Sequence, residues 1–112
     1  MEFIEALRSL DVPRCVASLI TYLANVSGAT SKEIETATRM SQPEVSIAIR
    51  TLHQNNWIEE GDIKAEGKGR PMKVYMLSVP IEEIIKRYEE EKNNEAAKTI
   101  QAIQRLKDIR AK

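Results

Sequence analysis

The chain has 112 residues, 42% hydrophobic and only 4% aromatic, the size of one domain with a core of Ile, Leu, Val and Ala. Its 17 basic and 17 acidic side chains give zero formal net charge, so affinity for phosphate cannot come from bulk charge. No apolar run approaches the roughly 20 residues that cross a bilayer; the longest, Cys15 to Val26, is interrupted by Ser18, Thr21, Tyr22 and Asn25.

The N-terminus is acidic and amphipathic and lacks the basic flank of a signal peptide, so a cytoplasmic protein is expected. Phe3, Ile4, Leu7 and Leu10 fall on one face of a short helix, which Asp11-Val12-Pro13 breaks. Pro13 suits the first turn of a second helix. That helix carries Val12, Val16, Leu19, Ile20, Leu23 and Val26 at three- and four-residue spacing, and Gly28 supplies a left-handed stop. Cys15 reads as a buried small hydrophobe. With one Cys and one His, a zinc site of those ligands cannot be assembled within one chain.

Thr30-Ser31-Lys32-Glu33 has the spacing of a capping box and predicts a helix over 31–38. Ile34 and Ala37 face its core side. A tight break at Arg39-Met40 follows. Ser41-Gln42-Pro43-Glu44 repeats the capping signature and opens a second helix, over 42–55. Val45, Ala48, Ile49 and Leu52 form its buried stripe, and Asn55-Asn56 ends it, because Asn tolerates the left-handed conformation. Two capping boxes about eleven residues apart leave room for two helices and only a tight turn.

Trp57 reads as a core plug. Ile58 to Ala65 and Met72 to Leu77 read as paired strands, with Met72, Val74 and Met76 on one face and Lys73, Tyr75 and Leu77 on the other. The tip Gly67-Lys68-Gly69-Arg70-Pro71 is basic, whereas acids collect at Glu59-Glu60-Asp62 and Glu89-Glu90-Glu91. Helix, short turn, helix, β-hairpin is the order of a winged helix-turn-helix. The expected fold is therefore mainly α with a small β-hairpin, a winged helix-turn-helix over 1–79 followed by a C-terminal helical region over 80–112.

In that last region Ile81, Ile84, Ile85 and Tyr88 make one apolar stripe, and Ala96, Ile100, Ile103, Leu106 and Ile109 make another. Between them, Tyr88 to Glu95 is nearly all polar and Asn93-Asn94 is poor helix material. One long helix with a solvated waist and two helices hinged near Asn93 both fit. A small domain offers Ile100 to Ile109 little core, so a second copy of the chain is the expected partner.

These residues resemble the winged-helix transcriptional regulators of the MarR, TrmB and ArsR type. The likeness covers roughly Val16 to Leu77. It rests on Thr-Ser-Lys-Glu-Ile at 30–34, Met-Ser-Gln-Pro-Glu-Val-Ser at 40–46, Leu52, Trp57-Ile58, and Gly69-Arg70-Pro71 before Val74-Tyr75. The resemblance implies a homodimer that binds an inverted repeat of double-stranded DNA and regulates transcription. By position it implies DNA contacts from Gln42, Pro43, Ser46, Ile47 and Arg50 on the second helix. It implies Thr30, Ser31 and Lys32 near the backbone, and Lys68 and Arg70 on the wing. Phe3, Leu7, Ile85, Tyr88, Ile100, Ile103, Leu106 and Ile109 are the candidate dimer interface.

The chain departs from such regulators at Ile47, where a polar or basic residue is usual, at Arg39, in place of a turn glycine, and at Glu44, which is either an acid near phosphates or is occupied by its capping role. Metal sensing of the ArsR kind lacks its Cys/His cluster. Arg50 has three readings: a guanine edge, a phosphate, or an acid partner. Gln42 reads a base edge or is merely solvated. Arg70 contacts phosphate or the minor groove, or is a solvated loop residue. His53 reads as surface or structurally satisfied.

Zero net charge, Ile47 and Glu44 also fit a winged helix used for protein–protein contact without strong DNA affinity. An enzyme has no support: the sequence offers no nucleophile–base pair, no metal site and no cofactor motif, and Gly67-Lys68-Gly69 lacks the helix that follows a phosphate loop. No residue identifies a small-molecule effector.

Overall fold

The computed structural model describes residues 2–63 and 72–111. The elements run α1 (Glu2–Arg8), α2 (Arg14–Ala24), β1 (Ala29–Thr30), α3 (Ser31–Thr38), α4 (Gln42–Gln54), β2 (Ile58–Ile63), β3 (Met72–Leu77) and α5 (Ile81–Ala111). This is the expected mainly helical winged helix-turn-helix architecture, with one strand more than the hairpin. The chain divides into two compact units, Met1–Ile81 and Glu82–Lys112.

The helix starts are set by side-chain caps. Thr30 accepts from the Glu33 N–H at 3.2 Å while its own N–H donates to Glu33 Oε1 at 2.9 Å. Ser41 and Glu44 repeat the exchange. Two of the helix ends are closed by a shared device. After α1, the Asp11 N–H reaches Arg8 O and the Val12 N–H reaches Leu7 O, with Asp11 at φ 67°. After α4, the Asn56 N–H reaches His53 O and the Trp57 N–H reaches Leu52 O, with Asn56 at φ 60°. Both are Schellman closures, and in each the two outer residues (Leu7 with Val12, Leu52 with Trp57) are buried apolar side chains.

The core of the first unit joins α2 to α3 and α4. Val16, Leu19, Ile20 and Leu23 of α2, Ile34 of α3, and Val45, Ala48 and Leu52 of α4 are all nearly inaccessible. Fully burying one such Val, Leu or Ile contributes about 1.5–3 kcal/mol. Trp57 is buried as expected. Ala37 is exposed and Cys15 and Ile49 are only half-buried, so none of the three belongs to the fully buried core to which the apolar periodicity assigned it.

Three further expectations change. Helix α2 ends at Ala24, where Asn25 folds its Nδ2 back to Thr21 O at 2.7 Å. Gly28 is therefore not its stop, and Val26 lies beyond it. Gly28 instead admits a neighbour: a Cβ there would sit 2.9 Å from Val74 Cγ1. Secondly, Ala29–Thr30 pairs antiparallel with β3, so the sheet order is β1-β3-β2. Two residues are too few for alternation to mark a strand. Thirdly, β3 has the expected bounds, but its burial grades along the strand instead of alternating. Met72 and Lys73 are exposed, whereas Val74 to Leu77 are half-buried, because β1 joins β3 only at Val74 and Tyr75.

Strand β2 spans Ile58–Ile63; the remainder of its expected range lies outside the described residues. Helix α5 is continuous through Asn93-Asn94, so the region is one helix and not two.

Gly28→Ala is expected to destabilise the protein by about 1–3 kcal/mol, because the added Cβ would displace Cγ1 of Val74, whose β-branched side chain is stiff. Gly61→Ala, whose Cβ would meet only Met76 Cε at 3.7 Å, is expected to be near neutral. Denaturant midpoints of the two variants check the contrast.

Candidate nucleic-acid interface

The buried side of α4 is fixed by Val45, Ala48 and Leu52. The helical repeat then places Pro43, Ile47 and Arg50 along one outward line and Gln42 and Ser46 along the next. All five are exposed, Ile47 at 51%. The residues assigned to this helix thus share one solvent face with no packing duty.

Glu44 is committed to the start of α4 by hydrogen bonds from Ser41. Its Oε1 accepts from the Ser41 N–H at 3.0 Å and the Ser41 hydroxyl at 2.9 Å. The backbone bond from Ser41 is the main reason its carboxyl is held below the ordinary 4.5, with a smaller Coulombic pull from Arg14. The acid is engaged as a cap.

The break between α3 and α4 is made by Arg39 at φ 59° and by Met40, which is buried. A left-handed arginine is uncommon. Its side chain is exposed beside the start of α4. Ser31 and Lys32 are likewise exposed in the first turn of α3. Thr30 is placed differently. It is only 9% exposed, and its hydroxyl is committed to the Glu33 N–H. Lys68 and Arg70 lie outside the described residues.

Arg14 is the residue the sequence reading passed over. Its guanidinium opens α2, exposed, and its charge is felt at Glu44 across the helix pair. Only tertiary packing brings it there, so no local pattern could have revealed it.

A polar clamp ties α4 to both strands of the hairpin. His53 Nε2 lies 2.6 Å from Glu60 Oε1, and Lys73 Nζ lies 3.4 Å from Glu60 Oε2. The His53 hydrogen bond is the largest cause of the lowered Glu60 pKa, ahead of the opposing burial and the Lys73 charge. His53 is thus satisfied structurally. Close by, the Ser78 hydroxyl donates to Asn56 O at 3.0 Å and its N–H to Trp57 O at 2.8 Å.

The candidate dimer residues separate into two groups. Leu7 is 4% exposed and belongs to the core of the first unit, and Phe3 is half-buried. In α5, Ile85, Ile100, Ile103, Leu106 and Ile109 are exposed, the last four at 48–68%, and Tyr88 is half-buried. A three-residue step falls about 60° short of a full helical turn. Ile100, Ile103, Leu106 and Ile109 therefore wind around the helix and do not form one straight seam.

Similar folds among solved structures include the following three. A possible transcriptional regulator from Methanosarcina mazei Go1 is 11% identical over 82% of this chain and 79% of that one, with a TM-score of 0.61. MepR of S. aureus, solved in complex with DNA, is 20% identical over 94% and 86%, with a TM-score of 0.54. Pex from Synechococcus sp. strain PCC 7942 is 24% identical over 58% and 63%, with a TM-score of 0.51. The chain spans less than two thirds of Pex. At these identities the likeness establishes the fold. No protein-family model matches the chain, and no curated protein matches it significantly.

The clamp generates a pH dependence. A carboxyl whose folded pKa is lowered stabilises the fold above its ordinary value, and that contribution is lost as pH falls through the lowered one. Glu60 has an ordinary value of 4.5 and is shifted down. Wild-type thermal stability is therefore expected to decline below that pH, and Glu60→Gln to decline less steeply over about pH 3 to 6. Melting curves across that range check it; equal slopes in the two proteins would remove the clamp from the account.

Proposed function

We propose that this chain is a sequence-specific DNA-binding transcriptional regulator, related to the MarR, TrmB and ArsR type, that acts in the cytoplasm as a homodimer on an inverted repeat. The observation that carries the reading is the outward face of α4. Its capping pair is satisfied internally, yet Gln42, Pro43, Ser46, Ile47 and Arg50 stand exposed together with no role in the fold. A mixed surface of amide, hydroxyl, guanidinium and aliphatic groups matches the edges presented in a major groove. The DNA complex of MepR, a protein of similar fold, supports the same assignment.

In this reading α4 lies in the groove. Ser31 and Lys32 at the start of α3, with Arg14 and Arg39, hold phosphates at its entrance. Thr30 acts indirectly, by fixing the first turn of α3. Lys68 and Arg70 supply the wing contact to backbone or minor groove. Two such helices, one per subunit, enter successive grooves about 34 Å apart. The exposed apolar residues of α5 join the subunits. The reaction is binding alone, with no catalytic step and no cofactor.

The alternative is a winged helix that docks on protein. Exposed Ile47 and the zero net charge favour it. The two readings separate on salt dependence, because only phosphate neutralisation releases condensed counterions.

Duplex binding by the wild type is expected to weaken steeply with salt. Arg70→Ala is expected to weaken binding to all sequences and to lower the log–log salt slope by about 1, whereas Arg50→Ala also relaxes sequence choice. Salt titrations on selected and scrambled duplexes distinguish the two, and a wild type without salt-dependent duplex binding overturns the proposal. Independently, Ile103→Asp combined with Leu106→Asp is expected to leave the first unit folded and halve the mass in solution. Light scattering checks it; an unchanged mass places the subunit contact elsewhere.

A further inference from the structure

We infer that Ile47 is a methyl reader: it selects a pyrimidine carrying a C5-methyl group, thymine or 5-methylcytosine, at one position in each half-site. The inference rests on the DNA-binding reading of α4 and specifies what that face recognises.

The placement of Ile47 is unusual for its chemistry. It lies on the solvent side of α4, on the outward line it shares with Pro43 and Arg50, and is 51% exposed. Its neighbours one turn away are Pro43, Glu44, Arg50 and Thr51. Glu44 is held by Ser41, and the Thr51 hydroxyl donates to Ile47 O at 3.1 Å. No large apolar side chain of α4 accompanies it on that face: Val45, Ala48 and Leu52 all point into the core. A protein-docking surface needs a contiguous apolar patch. Ile47, with the Pro43 ring one turn before it, instead forms a small aliphatic spot beside Gln42, Ser46 and Arg50.

That pattern matches a major-groove edge. There the bases present hydrogen-bonding atoms interrupted by one kind of apolar group, the C5-methyl of thymine. Gln42, Ser46 and Arg50 supply hydrogen-bonding groups on either side. An isoleucine cannot hydrogen-bond to a base edge, so its contribution to sequence choice comes from excluding water from a methyl. Cytosine methylated at C5 displays that methyl at the same place. A half-site with cytosine at this position would therefore gain affinity when methylated.

The test uses duplexes recovered by the wild-type protein from a random pool. Each thymine in turn is replaced by deoxyuridine, which removes the methyl and keeps the O4 acceptor and the base pairing. At one thymine per half-site, binding is expected to weaken about fourfold, the worth of one buried methyl. Ile47→Ala is expected to erase that difference, and Arg50→Ala to preserve it. Placing cytosine there weakens binding, and 5-methylcytosine restores part of the loss. Because Ile47 is exposed, Ile47→Ala should melt as the wild type does.

If duplexes are recovered but no thymine is methyl-sensitive, the inference falls while the DNA-binding reading stands. It also falls if Ile47→Ala keeps the deoxyuridine penalty. An Ile47→Ala variant that binds every duplex as the wild type does overturns it and leaves Ile47 to a protein partner. If no duplex is recovered even at low salt, both readings fall together.

Discussion

Two reciprocal caps, Thr30 with Glu33 and Ser41 with Glu44, control the geometry on which the rest of the first unit depends. Each satisfies backbone N–H groups that a helix start leaves without partners, and each Ser or Thr cap is worth about 1 kcal/mol. Their larger effect is positional. By fixing where α3 and α4 begin, they leave only Arg39 and Met40 to turn the chain. Arg39 takes the left-handed conformation, and Met40 is buried in the corner. A slip of one residue in the Ser41 cap would rotate α4 by about 100° and move Ile47 and Arg50 off the outward line.

The sheet extends that control to the hairpin. Thr30 belongs to both systems: its side chain caps α3 while its backbone, in β1, pairs with Val74 of β3. Close approach of β3 at this place explains Gly28, where no side chain fits beside Val74. At the other edge, Glu60 joins His53 of α4 to Lys73 of β3. The hairpin strands are thus referenced to both helices of the pair. A wing acting on DNA needs this referencing, because phosphate contacts fix register only when their elements are rigidly related.

Local signals made much of this legible. Capping spacing, apolar periodicity and the asparagine pair predicted the bounds of α3 and α4 to within one residue, along with the tight break at Arg39-Met40 and the closure at Asn56. Features created by tertiary pairing were not legible. Strand β1 is two residues long and exists only because β3 lies beside it. The end of α2 was misplaced because Gly28 looks like a cap, whereas its lack of a Cβ serves a contact with a strand more than forty residues away. Cys15 and Ala37 sit near the edge of apolar stripes, where periodicity cannot separate buried from half-exposed. In the site, exposed Ile47 and Arg50 were legible from the helix period. The caps of Thr30 and Glu44 were legible from the capping-box spacing, whereas the position of Arg14 needed coordinates, since only packing brings that guanidinium near Glu44.

Zero net charge ceases to oppose a nucleic-acid interface once the charges are placed. Glu33 and Glu44 have their carboxylates at helix starts, accepting backbone N–H groups, and Glu60 is engaged by His53 and Lys73. Others are held within α5, where Glu91 pairs with Arg87 and Glu95 with Lys92. Lys32, Arg39 and Arg50, by contrast, form no ion pair among the described residues. Acids with local partners project little field, whereas exposed unpaired bases retain theirs within a Debye length of about 8–10 Å. The zero sum therefore does not describe the charge at the α3–α4 corner. A face with so few bases still gains only modest affinity from one subunit, which makes the apolar residues of α5 necessary to the proposed function. In the proposed homodimer they would bring in a second α4, and with it the energy that one helix with a single arginine lacks.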